Sequence, residues 1–194
     1  MYINHGGERY GNVNCGLCTV GAIIGATSDQ VAAMIGHSGN QSAEIFGSAA
    51  SDYTPKQVAE LTQSEQQDLS LKGMKNFVKQ VMNYIKRDCF ITQGGSWDSL
   101  VPMKTQIGLM GIYPVGTQYA VYGCMEMRGL GAHWNYATRT DKGVEFRDYQ
   151  YNDSETNLAE TSATFIPPRG MKKFGTDDYT QGIVLVFRST KKLI

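Results

Sequence analysis

No charge of one sign dominates this chain. Its 18 basic and 18 acidic side chains leave a formal net charge of zero, which gives no electrostatic basis for binding nucleic acid or an anionic membrane. No apolar run approaches the roughly 20 residues that a membrane-spanning helix needs. The first residues, Met1-Tyr2-Ile3-Asn4-His5, carry neither the basic stretch nor the apolar core of a secretory signal peptide. A chain of this kind that leaves its cell is expected to do so by a route that reads no N-terminal signal, or as one piece of a larger protein. Histidine is scarce, at three residues (His5, His37, His133), and cysteine numbers four (Cys15, Cys18, Cys89, Cys124). One CxxC pair without a second, and so few histidines, argue against a structural zinc site. With 194 residues the chain can bury a core large enough to stand without disulfide staples. Repeats, low-complexity tracts and linkers are also missing. The expectation is a single domain over 1–194, with no metal and no cofactor.

Glycine is plentiful, at 22 residues, which suits many turns and close backbone approaches rather than a helical bundle. After a Gly- and Asn-rich start, Cys15 to Ile24 forms an almost wholly apolar stretch, with Asn14 placed to cap it and Gly25 to stop it. A helix this apolar must be buried on most sides. Thr27 or Ser28 can cap a second helix through Gln30, Val31, Met34 and Ile35. Residues 40–55 look irregular, and 55–61 can make a short helix. Leu71, Met74, Phe77, Val78, Val81, Met82 and Ile85 recur at three- and four-residue steps, which predicts a helix after Ser70 with one apolar face. Lys72, Lys75, Lys79 and Lys86 occupy its other face.

The second half reads differently. Strand patterns are predicted over 89–92, 118–123, 133–138, 144–149 and 182–188, with a helical turn over 97–103. A turn at 114–117 leads into the second of these strands. Thr140-Asp141-Lys142-Gly143 is a hairpin signal. Helices first and a mostly antiparallel sheet second make an α+β chain, its N-terminal helices packed on a C-terminal sheet.

Three features combine into a candidate site. Cys15 opens a buried helix, whose end offers unpaired N–H groups and a partial positive charge that favour a thiolate. His133 heads a strand just after the loop containing Gly129 and Gly131. Asp148 lies fifteen residues later, on the partner strand of the hairpin, where it can orient the imidazole and favour its charged form. Nucleophile, base and orienting acid together are the equipment of acyl transfer. Taken singly, each has a plain structural use: a cysteine as a small buried hydrophobe, a histidine or aspartate as an ordinary bonded or solvated residue. A CxxC can also be a redox pair, but that motif normally follows a strand in a βαβ unit, and no strand pattern precedes Cys15.

The stretch Asn14-Cys15-Gly16-Leu17-Cys18 resembles the nucleophile region of papain-like enzymes. His133, Asn135, Gly143, Asp148 and Gln150 are similar to the His, Asn, Gly, Asp-x-Gln pattern of the papain-fold toxin domains found in bacterial polymorphic toxins and secreted effectors. Cys15-Gly16-Leu17, followed by Val20, Gly21, Ala22 and Ile23, also resembles the start of the C39 peptidases, which cut after double glycines. The likeness spans about residues 12–36 and 114–152. It implies a papain-like cysteine peptidase using Cys15, His133 and Asp148, acting as an effector toxin on protein substrates in the cytoplasm of a target cell, with glycine-rich sites among the expected targets. It also implies a cognate immunity protein in the producer. The papain register selects Cys18 as nucleophile instead, and the C39 register selects Cys15, which is favoured because it matches the following helix without a gap. Neither register supplies the usual upstream Gln. Asn12 or Asn14, with the helix N–H groups, is the expected oxyanion support, and Asn135 and Gln150 are expected to support the His–Asp pair or touch substrate. The same residues would serve a glutamine deamidase, and a non-catalytic binding module stays open.

Overall fold

The computed structural model describes residues 14–35, 55–85, 87–125, 132–149, 157–159 and 179–188. The expectations for the first dozen residues, for Asn12, for 40–54, for Lys86, for the glycine loop at 129–131 and for Gln150 lie outside the described residues.

Helix α1 runs Cys15–Ile24, and Gly25 ends it in the left-handed region at φ 75°, a conformation that favours a residue without Cβ. Asn14 stands at the N-cap position, but its side chain makes no capping hydrogen bond. Helix α2, Ser28–Met34, starts at Thr27 with a full capping box: the Thr27 hydroxyl accepts from the Gln30 N–H, and the Gln30 side chain accepts from the Thr27 N–H. The two helices meet at 92°. Helix α3 spans Pro55–Glu60.

Helix α4, Gln63–Ile85, begins well before Ser70. Its polar first turns carry no apolar period, and the signal there is instead a cap: Thr62 and Glu65 exchange side-chain and backbone hydrogen bonds at 2.7 and 3.4 Å. Leu71 and Met74 on its apolar face are buried. Among the described residues no single helix is long and apolar enough to cross a membrane.

The strands are β1 Cys89–Ile91, β2 Val101–Pro102, β3 Gln118–Met125, β4 Ala132–Thr140, β5 Gly143–Arg147, β6 Asn157–Ala159 and β7 Tyr179–Phe187. They form one sheet in the order β1-β7-β3-β4-β5-β6, with β2 also paired to β7. Every pairing among them is antiparallel. The coarse α+β expectation therefore holds. The helical turn expected over 97–103 is displaced: Val101 and Pro102 pair with Gly182 and Gln181, and helix α5, Met103–Leu109, starts at the expected end of that turn. Pro102 explains the boundary, since proline suits an edge strand or a helix start and not a helix interior.

The sheet has two covered faces. On one, Leu17, Val20 and Ile23 of α1, Val31 of α2 and Met74 of α4 pack on Ala120, Tyr122, Trp134, Tyr136, Ile183 and Leu185. On the other, Met103 and Ile107 of α5 and Met110 pack on Tyr119, Val121, Ala137, Val144, Phe146 and Val184. Adjacent residues of β3, β4 and β7 thus face opposite cores, as strand alternation requires. Buried Gln106 ties α5 to the sheet, donating to the Gly182 carbonyl at 2.7 Å and accepting from the Val184 N–H at 2.9 Å.

Candidate active site

Two constructions bring the site together. The first fixes α1 on the sheet. Arg87 donates to the Ile23 carbonyl at the helix C-terminus at 3.0 Å and to the Arg188 carbonyl after β7 at 2.8 Å, and to the side chain of Gln118 where β3 begins. With its far end held and its apolar side packed on β3 and β4, α1 points its N-terminus toward the start of β4. The first hydrogen bond within that helix end runs from the Cys18 N–H to the Asn14 carbonyl at 3.0 Å. The N–H groups of Cys15, Gly16 and Leu17 therefore have no partner within the helix.

The second is the β4–β5 hairpin. A two-residue turn at Asp141 and Lys142 sets the register Thr140↔Gly143 through Tyr136↔Arg147. Counting one pair further puts Asn135 opposite Asp148. Asp148 falls just beyond the end of β5, not within the strand as the sequence suggests, and this frees its carboxylate to reach back toward the start of β4. Its Oδ2 lies 2.7 Å from His133 Nε2. The two side chains are 6% and 13% exposed, so water competes little for this pair.

His133 also hydrogen-bonds the side chain of Cys15. Burial alone would lower the basicity of this imidazole, but the hydrogen bonds to Asp148 and Cys15, together with their charges, outweigh it and raise its pKa from 6.5 to about 10. The fold thus favours imidazolium. Stability from that charge is complete below the unfolded value near 6.5 and is lost as pH rises through about 10. Asp148→Asn is expected to destabilise the protein more at pH about 6.5 than at higher pH, the effect shrinking toward pH about 10 as the imidazolium is lost, read by denaturant unfolding. A destabilisation independent of pH would contradict this account.

Cys18 occupies a different setting. It is buried, at 1% exposure, in the core beneath α1, whereas Cys15 is partly exposed. Burial first, then the nearby charges of Cys15 and Asp148, push its thiol far above the usual range against a hydrogen bond to Ser28 that pulls it down. Ser28 is the partner that the sequence did not expose, because it reads there only as a helix cap.

The remaining expected residues divide. Asn14 is buried at the helix start, beside the N–H groups that the helix leaves unused. Asn135 is 1% exposed, and neither atom of its amide has a hydrogen-bond partner among the described residues. The Trp134 ring lies in the core at 4.8 Å from the Tyr122 ring, a packing role. Among the described residues no three His, Cys, Asp or Glu side chains gather as a metal site.

The chain matches no protein-family model and no curated protein.

Proposed function

We propose that the protein is a cysteine-dependent amide hydrolase of papain-like fold, a peptidase that acts as an effector toxin in the cytoplasm of a target cell. The observation that carries this reading is the shared histidine: His133 contacts Cys15 and Asp148 together, inside a site that is largely closed to water.

Each residue then has a step. Cys15 attacks the amide carbonyl as a thiolate, and the charge developing on oxygen faces the N–H groups at the start of α1. His133, held charged by Asp148, delivers its proton to the departing nitrogen. Now neutral, it takes a proton from water, which attacks the thioester and releases the acid. Asp148 keeps one ring nitrogen occupied and so fixes which nitrogen meets sulfur. Toxin action and a cognate immunity protein covering the groove follow from the sequence resemblance.

The test is expression of the wild-type chain and His133→Ala inside a host, with whole-proteome mass spectrometry. New protein termini that need His133 are expected, with the variant slower by about 10³-fold or more. Conversion of glutamine to glutamate without new termini would replace the peptidase by a deamidase of the same chemistry. Identical proteomes from both variants would sink the catalytic reading in favour of a binding module.

A further inference from the structure

The mechanism above uses one of two neighbouring thiols. Cys18 lies three residues beyond Cys15 in the first turn of α1, and neither is in a disulfide. In a regular helix, residues at this spacing have Cα atoms about 5 Å apart, within the span that a disulfide bridges. Helical side chains tilt toward the N-terminus, so the Cys18 side chain leans toward Cys15. Cβ atoms at this spacing sit about 5–6 Å apart and a disulfide needs about 4 Å, so the turn must tighten. The first turn is the part of α1 able to do so, since a single intrahelical bond, Cys18 N–H to the Asn14 carbonyl, closes it.

We propose that Cys15 and Cys18 form a reversible disulfide that switches the site off in oxidising surroundings and opens on arrival in a reducing cytoplasm. The consequence for activity rests on the hydrolase reading above. The oxidant is a low-molecular-weight disulfide such as oxidised glutathione. Cys15 sulfur attacks it, the glutathione S–S bond breaks, and one glutathione thiol leaves with a proton from solvent. Cys18 then gives up its proton and attacks the Cys15 sulfur, and the second glutathione leaves as thiol. Two cysteine thiols have lost two electrons, and one disulfide has become two thiols. The product ties up the attacking sulfur and removes the thiolate partner of His133. Cys89 lies apart, on β1 at the far side of the sheet order, and takes no part.

The test uses the full chain, folded, in oxidised glutathione, followed by alkylation of free thiols, intact-mass measurement and peptide mapping. Wild type should lose two alkylatable thiols, with Cys15 linked to Cys18, and iodoacetamide labelling of Cys15 should fall at least about tenfold and return with dithiothreitol. Cys18→Ala should stop at a glutathione adduct on Cys15. Wild type that also stops at the adduct, keeps its thiols free, or links Cys15 to another cysteine would overturn the switch. The mass readout needs no activity. A disulfide that forms in a chain hydrolysing nothing when reduced would leave the bond and remove the hydrolase, whereas hydrolysis without the disulfide would do the reverse.

Discussion

Cys15→Ala is expected to lower turnover by about 10³-fold or more, while Cys18→Ala leaves the reduced protein active at a stability cost of about 1 kcal/mol. The two residues sit on one side of one helical turn, so a general disturbance of α1 would affect both variants alike. Their surroundings differ. Cys15 is partly exposed and meets His133. Cys18 is buried at 1% exposure, with its sulfur hydrogen-bonded to Ser28, and an incoming carbonyl has no path to it. The measurement is hydrolysis by purified reduced variants, with thermal unfolding to show that both fold. An active Cys15→Ala beside an inactive Cys18→Ala would reverse the assignment and restore the papain register.

The largest expected effect on folding is at Gly182. A Cβ there would stand 2.0 Å from the Tyr122 carbonyl oxygen and 2.3 Å from Met103 Cε. Met103 ends in a flexible thioether and can move. The Tyr122 carbonyl cannot, because β3 is held between β4 and β7 along its whole length. Gly182→Ala must therefore push β7 off β3, and it also strains the bond from Gln106 to the Gly182 carbonyl. A loss above about 4 kcal/mol is expected, a large part of a typical domain's stability. Gly108 is the control. It lies in α5 with open space where a methyl group would be added, and Gly108→Ala should be neutral or stabilising by up to about 1 kcal/mol. Soluble yield and denaturant midpoints compare the two. Equal midpoints would mean that the close approach of β7 and β3 yields more easily than its geometry implies.

Where the sequence carries a local signal, the fold can be read from it. Gly25 closes α1, Thr27 and Gln30 open α2, and the tight turn before Gly143 brings Asp148 within reach of His133. Where the structure depends on distant partners, it cannot. The short strands β2 and β6 have too few residues to show a period, and β2 exists because Gly182 and Gln181 lie beside it. The sheet order joins strands far apart in the chain, which no local pattern encodes. The site divides in the same way. Cys15, His133 and Asp148 are legible from helix start, strand start and hairpin spacing. The choice between Cys15 and Cys18 is not, because residues three apart share a helix face. The right-angle turn into α2 gives the two thiols different surroundings by bringing Ser28 to the inner sulfur.

Strand β7 lies between β1 and β3, and its partner at Cys89 is Phe187. An interior strand of the sheet is thus its last described segment to be synthesised, and its pairing with β1 spans nearly a hundred positions of sequence. Chains of such topology fold slowly, and only after the distant segment is available. A ribosome that has made Cys15, His133 and Asp148 has therefore made the candidate triad but not the strand that completes the sheet beneath α1. A chain cut short before residue 179 is expected to carry all three groups on an incomplete sheet.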